Sequence, residues 1–242
     1  MWNRLVLLLL CAGVASAAQI RVISENYPPF NYPEGESLVG VSAALVAEIR
    51  KRVGDEGPVL IWPWTKGYAA VQAEPNTALF STTLTPERQD LFQWVGPLVH
   101  NRWALFAKAD SKITLPDLAA AKAYTIGTYK DDAVDQYLRS QGFGDEQLKA
   151  GIDDRLNGRK LLEGRIDLWA GGEIQIPFKL RQFGGHPSQI KVALVLQETE
   201  LYIAFSKGTD PALVAQWQGA LDAMRADGRY AAILAEHEIA AE

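Results

Sequence analysis

The sequence predicts an α/β fold, and two observations carry this prediction. Short runs rich in β-branched and aromatic residues alternate along the chain with stretches of helical periodicity. The resulting β/α units form two groups, before and after about residue 105, with no low-complexity linker between them. This alternation is typical of sheets covered by helices, and a division without a flexible linker favours two lobes joined by paired extended strands.

The first group is predicted to contain four strands and two helices. Ser42 is a good capping residue, and the helix after it carries Leu45, Ile49 and Val53 on one face, with Gly54 as its stop. The strands are predicted at 20–24, 59–62, 78–81 and 103–107, and a short helix at 67–73.

The second group repeats this alternation. Strands are predicted at 124–128, 166–170, 190–196 and 201–205, and helices at 132–140, 155–163 and 174–182. Asp210 and Pro211 open a last long helix, because proline suits the first helical position. Its apolar face is formed by Leu213, Trp217, Leu221 and Met224.

Composition excludes several classes of protein. The 242 residues include 24 Lys and Arg against 29 Asp and Glu, a formal net charge of −5. An acidic chain argues against nucleic acid as a partner and against an electrostatic grip on anionic lipid. With 48% hydrophobic residues, the chain can build a substantial core rather than remain disordered.

Residues 1–17 read as a signal peptide, so we expect an exported, soluble, periplasmic protein. Arg4 supplies the positive charge, an apolar run covers 5–14, and small residues at 15–17 fit a cleavage site. The single cysteine, Cys11, lies in this segment, and Leu10 before it disfavours a lipoprotein signal. Removal of 1–17 leaves no cysteine for a disulfide, thiol nucleophile or thiolate metal site.

The strongest local candidate for a site is the segment 80–88. A strand ends here in hydroxyl residues, among them Ser81 and Thr83, and Arg88 follows closely. Hydroxyl and backbone N–H groups suit a carboxylate, which a guanidinium can bind through two parallel hydrogen bonds. The alternative is structural: Thr85 caps a helix and Arg88 pairs with a nearby acid.

Aromatic residues follow two of the predicted strands. Tyr27 and Phe30 lie in a loop stiffened by two prolines, and Trp62 and Trp64 flank Pro63. Stiff aromatic loops make good ligand walls, but the same residues can simply pack on their own domain.

No pattern in the sequence indicates a metal, a cofactor or a nucleophilic enzyme. His100, His186 and His237 are scattered without metal-ligand spacing, so we expect surface or packing roles. The Gly171–Gly172 pair lacks the following Lys-Ser/Thr of a phosphate loop. We therefore expect no metal, no cofactor and no catalytic residue.

Taken together, these motifs resemble the polar-amino-acid type of periplasmic solute-binding protein, solute-binding family 3. The resemblance covers essentially the whole chain after the signal peptide. The most specific motif is the Ser-x-Thr-x-Thr-x-x-Arg pattern of 81–88. The matching segments are Tyr-Pro-Pro-Phe at 27–30, the turn from Gly40, the Gly-Arg-Ile-Asp stretch within 161–167, and 220–230.

The resemblance implies a type II periplasmic binding fold of two α/β lobes joined by two hinge strands. Lobe 1 would comprise 18–102 with 199–242, and lobe 2 would comprise 103–198. The protein would be a monomer that captures a small polar, amino-acid-like carboxylate in the cleft and delivers it to an ABC permease.

The resemblance also assigns roles within the cleft. Tyr27 and Trp64 would enclose the ligand, and Ser81, Thr83 and Arg88 would hold its carboxylate. The turn 129–132, which includes Tyr129 and Asp131, would close over it.

In amino-acid binders an acid pairs with the ligand ammonium, but the matching position holds Gly172, with Glu173 next. Glu173, Glu25 or Asp131 could take that role, or the ligand lacks a standard α-ammonium. The structural alternatives are a helix cap for Glu173 and first-turn helix charges for Asp131 and Asp132.

Two other functions stay open at this point. The fold also hosts sensory input domains; since no membrane span or kinase follows before residue 242, such a role would require docking on another receptor. It also hosts a dehydratase of prephenate-like acids, for which Glu173 is the residue to nominate as proton donor.

Overall fold

The computed structural model describes residues 19–237 and Ile239, so the predicted signal peptide and Cys11 lie outside the described residues. The strands are β1 Arg21–Ser24, β2 Tyr32–Glu34, β3 Ser37–Val39, β4 Val59–Ile61, β5 Thr77–Thr83, β6 Phe92–Lys108, β7 Ile126–Tyr129, β8 Leu148–Gly151, β9 Leu168–Gly172 and β10 Ile190–Ser206. The helices are α1 Val41–Val53, α2 Trp64–Ala73, α3 Pro86–Gln89, α4 Ala133–Ser140, α5 Arg155–Leu162, α6 Gln175–Arg181, α7 Pro211–Ala226 and α8 Arg229–Glu236.

Eight of these strands form one mixed sheet in the order β4-β1-β5-β10-β6-β9-β7-β8. At one end β1 pairs in parallel with β4 and β5, and at the other end β7 pairs in parallel with β8 and β9. Between them β6 and β10 pair antiparallel, from Lys108 with Ile190 to Phe92 with Ser206. The predicted fold class, two α/β lobes joined by two hinge strands, is confirmed.

Each lobe covers its part of the sheet on both faces. Below, lobe 1 denotes β1–β5 with α1–α3, α7 and α8, and lobe 2 denotes β7–β9 with α4–α6. In lobe 1, Leu45, Phe80 and Trp217 belong to the cluster under α1 and α7, whereas Ile23 and Val71 belong to the one under α2. Two further clusters pack the faces of lobe 2, so each lobe has its own core.

The start of α1 differs from the prediction. Ser42 was expected to cap this helix, but α1 begins at Val41 after Gly40, and the Ser42 hydroxyl is buried without a partner. The carbonyl of Phe30 accepts instead from the N–H groups of Ser42 and Ala43, at 2.8 and 3.2 Å. A carbonyl from the aromatic loop thus replaces the side-chain cap.

The hinge strands are longer than predicted. The separate strands expected at 190–196 and 201–205 form one strand, β10, and the strand expected at 103–107 is the end of β6. The prediction failed because the joining residues Gln197, Glu198 and Glu200 are polar and read as a loop. In the structure they pair with Trp103, Arg102 and His100 of β6.

The other elements agree with the prediction more closely. Gly54 ends α1 in the left-handed conformation, with φ of 75°, as expected of a helix stop. Asp210 caps α7 by accepting from the N–H of Ala212 at 2.9 Å, and Trp217 and Leu221 are buried on its apolar face. In the described part of the chain, no helix has the length and apolarity needed to cross a membrane.

Candidate functional site

A cavity of about 400 Å³ opens between the two lobes. Lobe 1 contributes the loops after β1 and β4, and lobe 2 contributes the end of β7, the segment before α5 and a side chain of α6. The lining residues are Glu25, Asn26, Ile61, Trp62, Pro63, Tyr129, Ile152, Asp153, Asp154, Arg155 and Lys179. This volume lies within the range of small-molecule sites.

Arg88, on the short helix α3, is buried where the two lobes meet, with 1% of its surface exposed. Its Nε donates to the side-chain oxygen of Gln136 at 3.0 Å, and one terminal nitrogen donates to the carbonyl of Asp131 at 3.1 Å. Its other terminal nitrogen, Nη1, has no hydrogen-bond partner among the described residues. Nη1 is therefore the one nitrogen of the guanidinium without a hydrogen bond of ordinary geometry, and the Tyr68 side chain beside it raises the pKa of Arg88 against the effect of burial.

The alternative for Arg88, pairing with an acid beside a Thr85 cap, is not what the structure contains. The acceptors of Arg88 are a neutral amide and a carbonyl. Thr85 precedes α3, but its hydroxyl makes no capping bond and is buried without a partner. Burial lowers the pKa of Arg88, and the charge of Asp132 opposes that effect.

Aromatic rings enclose the guanidinium. Its central carbon lies 5.2 Å from the ring centre of Trp64 and 4.9 Å from that of Tyr68. Trp64 also bridges the lobes, since its Nε1 donates to the Asp131 carbonyl at 3.0 Å and its backbone N–H to the Tyr129 hydroxyl at 3.3 Å. Trp64 thus contacts Arg88 and the closing turn at the same time.

The hydroxyl residues lie at the end of β5, as the sequence suggested. Ser81 adopts a positive φ of 59° and donates to the side-chain oxygen of Asn31. Asn31 in turn donates to the Ser24 hydroxyl and to the carbonyl of Glu25. Thr83 is buried two residues further along β5. Asn31 thus connects Ser81 to the loop that bears Glu25.

The turn after β7 faces lobe 1 with its backbone rather than with the Asp131 side chain. Asp131 has a positive φ of 61°, and its carbonyl accepts from Trp64, Arg88 and Gln136. Asp132 is the N-cap of α4 and accepts from the N–H of Ala133 at 2.7 Å. The expectation of a helix-end charge applies to Asp132, whose pKa burial raises against the opposing charge of Arg88.

Glu25 is a buried carboxyl group at the cleft. Burial raises its pKa from 4.5 to about 8, the Lys179 charge opposes this shift, and the charges of Asp132 and Asp154 add to it. Glu25 is therefore mostly protonated at neutral pH, and a protonated carboxyl can donate a hydrogen bond.

A buried ion pair faces Glu25 from lobe 2. The ammonium of Lys179, on α6, lies 2.6 Å from a carboxylate oxygen of Asp154. The other Asp154 oxygen accepts from Trp169 Nε1 at 2.9 Å and from the Asn157 amide at 3.0 Å. The same ammonium lies over the Tyr27 ring, 5.3 Å from its centre, so Tyr27 faces a protein cation.

Glu173 lies apart from these groups. Its carboxylate pairs with Arg102 of β6, and its N–H donates to the Arg102 carbonyl at 2.8 Å. It does not cap the following helix, because α6 begins at Gln175 after Ile174 without a side-chain cap. Of the predicted site residues, Glu25 and Tyr129 line the cavity, and Trp64 and Asp131 contact Arg88. Tyr27 contacts the cavity residue Lys179, whereas Ser81, Thr83 and Glu173 belong to neither group in the described contacts.

The sequence profile of the bacterial extracellular solute-binding proteins, family 3, matches residues 20–238. This chain belongs to that family. A search of curated protein sequences gives no significant match.

Solved structures of similar fold include a histidine kinase sensor domain with similarity to periplasmic binding proteins. Its TM-score is 0.82 and its identity 19%, over 91% of this chain and 96% of that one. An ancestral arginine-binding protein bound to arginine gives 0.76 and 21%, over 90% and 97%. The arginine-, lysine-, histidine-binding protein of the thermophilic bacterium Geobacillus stearothermophilus gives 0.79 and 17%, over 90% and 94%.

Family membership makes the protein a bacterial solute-binding protein, and these neighbours agree with its fold. Among the described residues, no group of three or more His, Cys, Asp or Glu side chains could hold a metal ion. His100 lies on a hinge strand against Glu198, with 2.7 Å between ring nitrogen and carboxylate oxygen.

Sequence reasoning missed Lys179, Asp154, Gln136 and Tyr68. Lys179 stands in a helix that reads as amphipathic, where a lysine is normally a solvated residue. Asp154 is 25 residues away from it, and nothing local links the two. The one available signal was Asp154 just before a predicted helix, which reads as an ordinary cap.

Proposed function

We propose that this protein captures a small polar, amino-acid-like carboxylate in the cleft between its lobes and delivers it to an ABC permease at the inner membrane. Family membership supports the capture of a solute. The proposal includes residues 18–102 with 199–242 as lobe 1 and 103–198 as lobe 2. It also includes export through a signal peptide at 1–17, a periplasmic location and a monomeric state.

The single observation that carries this proposal is the state of Arg88. The hydrogen bonds of the buried guanidinium go only to neutral acceptors, so it lacks a directly bonded anion, and Asp132 acts on it only through space. A buried charge is costly unless it is paired, and a carboxylate can pair with guanidinium bidentately. A ligand carboxylate would supply both the missing charge and the missing acceptor.

The contacts across the cleft support a closure mechanism. Trp64 and Arg88 of lobe 1 donate to the carbonyl of Asp131 in lobe 2. A ligand that touches both lobes favours the closed form, because only that form makes both sets of contacts. Tyr27, Ser81, Thr83 and Glu25 of lobe 1 and Tyr129 of lobe 2 are the proposed ligand-contacting residues beside them.

The test is a calorimetric titration of Arg88→Ala. A ligand would first be found by native mass spectrometry of the purified protein, followed by a thermal-shift screen of small carboxylates. We expect Arg88→Ala to abolish measurable binding while the far-UV circular dichroism is unchanged. Arg52→Ala is the matched control, because Arg52 pairs with Glu48 and Asp227 outside the cleft. Unchanged affinity in Arg88→Ala would refute the assignment.

Binding without transformation is part of the proposal. The carboxylate nominated as proton donor for a dehydratase, Glu173, is held by Arg102. Incubation with prephenate should therefore give no phenylpyruvate absorbance in the ultraviolet, and turnover would overturn this part.

A ligand sensor that acts on a membrane receptor is the second candidate, favoured by the similarity to the histidine kinase sensor domain. Co-purification from membranes separates the two functions: a permease complex supports delivery, and a receptor complex supports sensing.

A further inference from the structure

Two buried donors near the junction of the lobes make no hydrogen bond of ordinary geometry with the described residues. They are Nη1 of Arg88 and Nδ2 of Asn101. The Asn101 side-chain oxygen accepts from the N–H of Arg102 at 2.9 Å, which fixes the amide with its NH₂ group on the other side. Burial raises the pKa of Tyr27, and a hydrogen bond from the Asn101 side chain opposes that shift, so the Tyr27 hydroxyl is a weak acceptor for this amide. A ligand oxygen in hydrogen-bond range would complete both donors.

The end of β9 offers no counter-charge to a ligand ammonium. The family resemblance places Gly172 where amino-acid binders carry an acid, and a Cβ at Gly172 would lie 2.9 Å from the Asn101 oxygen and 3.0 Å from its nitrogen. An acidic side chain could enter only if Asn101 moved. The neighbouring Glu173 is committed to Arg102.

An ammonium group of the protein already occupies a cation site at the cleft. Lys179 is 2% exposed and is bound by the Asp154 carboxylate. Its Nζ lies 5.3 Å from the ring centre of Tyr27 and 5.8 Å from that of Tyr129. A carboxylate with two aromatic faces is the environment that proteins use to bind an ammonium ligand.

We propose that the cleft takes a small carboxylic acid with an oxygen, oxo or hydroxyl, in the place of the α-ammonium, and that Lys179 supplies the positive charge an amino acid would bring. This inference rests on the proposed function, because it presupposes a carboxylate held by Arg88. The proposed ligand has the size and the carboxylate of an amino acid but lacks its amine.

The protonation of Glu25 agrees with this ligand class. The charged and titratable groups around Glu25 are Lys179 of α6, Asp132 at the start of α4, Asp154 before α5 and Tyr129 at the end of β7. With its pKa raised to about 8, Glu25 is neutral at pH 7 and offers a hydrogen rather than a negative charge. A neutral donor suits an oxo or hydroxyl oxygen and gives an ammonium no ion pair.

The test compares acids that share a carbon skeleton. Alanine, pyruvate and lactate form one set, and glutamate, 2-oxoglutarate and 2-hydroxyglutarate form another, each titrated calorimetrically into the purified protein. We expect an oxo or hydroxy acid to bind at least tenfold more tightly than its matched amino acid. Tighter binding of the amino acid would overturn this inference and leave the carboxylate function standing. If wider screening finds no carboxylate ligand at all, the proposed function falls and the inference falls with it.

A charge-matched double variant tests the role of Lys179 itself. Lys179→Met combined with Asp154→Asn removes both charges and keeps an oxygen that can accept from Trp169. We expect the preference for the oxo or hydroxy acid over the amino acid to fall at least tenfold. Lys191→Met is the control, because Lys191 is half-buried and donates to the Ser111 carbonyl away from the cleft. An unchanged preference in a folded double variant would overturn the role of Lys179, and the titrations of the unaltered protein stand without any variant.

Discussion

Two buried cations lie where the lobes meet, one from each lobe, and they differ in what neutralises them. Arg88 of lobe 1 has neutral acceptors, and its Nη1 makes no hydrogen bond of ordinary geometry with the described residues. Lys179 of lobe 2 is joined to the Asp154 carboxylate at 2.6 Å. Burial alone therefore does not identify a binding residue. An unpaired buried cation is available to an anionic ligand, whereas a paired one belongs to the architecture and shapes the field around the ligand.

Breaking the buried ion pair of Lys179 and Asp154 should change the stability of the protein most. Lys179→Met leaves the Asp154 carboxylate buried without a cation, so the free energy of unfolding should fall by about 3–5 kcal/mol. Urea denaturation followed by circular dichroism measures this change. Lys66→Met is the control, because Lys66 only stacks on Trp62 at the rim. A loss below about 1 kcal/mol would mean that the pair is not structural.

Substitution of Arg88, which has no such partner, should affect stability and ligand binding differently. Arg88→Met removes a charge to which no carboxylate among the described residues is hydrogen-bonded, so the stability of the ligand-free protein should change by less than about 1 kcal/mol. Its stabilisation by a carboxylate ligand, about 2.7 kcal/mol at 100 times the dissociation constant, should disappear. Thermal unfolding with and without ligand measures both quantities. A large loss in the ligand-free protein would make Arg88 a structural residue like Lys179.

The buried carboxyl group of Glu25 should make the stability of the protein depend on pH. Glu25 has a folded pKa of about 8 against 4.5 in the unfolded chain, so between these values the unfolded state loses this proton first. The contribution of Glu25 to stability is therefore complete below pH 4.5 and declines as the pH rises toward 8. The slope is about 1.4 kcal/mol per pH unit.

Glu25→Gln lacks this titration and provides the reference. Unfolding free energies of both proteins at pH 5, 6, 7 and 8 should show the wild type losing stability relative to the variant as pH increases. A difference that stays constant with pH would show that Glu25 ionises normally.

The smallest expected effect concerns the bridge between the lobes. Trp64→Phe removes the hydrogen bond to the Asp131 carbonyl, which should weaken ligand binding by about 1 kcal/mol, or about fivefold. Trp94→Phe is a matched control, because Trp94 Nε1 also donates to a backbone carbonyl at 3.0 Å, that of Gln89 within lobe 1. If both variants lose the same affinity, the effect does not come from contact between the lobes.

Most helices and strands of the two lobes could be predicted from the sequence because they depend on local patterns. The apolar face of α7 repeats with helical spacing, and Gly54 ends α1 as its φ requires. The start of α1 was not predictable in this way. Its N–H groups are satisfied by the Phe30 carbonyl, a partner more than ten residues away, rather than by Ser42.

The candidate site likewise contains residues that local motifs predict and residues that only the tertiary structure brings together. Arg88 and Tyr27 lie in recognisable motifs, and each contacts a residue of the other lobe. The Lys179–Asp154 pair depends on how α6 sits against the segment before α5, a tertiary relation without a sequence pattern. Asp131 contributes through its backbone carbonyl. A prediction based on side-chain chemistry would assign that contribution to its carboxylate instead.

The long antiparallel pairing of β6 with β10 limits how the two lobes can move in the proposed closure. Sliding one lobe past the other along the strands would break a whole ladder of backbone hydrogen bonds, whereas bending or twisting a two-stranded ribbon keeps most of them. The ladder is already irregular between Val195 and Gln197 and between Leu201 and Ile203. Bulges are points where strands bend and twist most easily. In the proposed closure, bending at these places sets the aperture of the cleft, so substitutions there should change the speed of opening without touching the ligand.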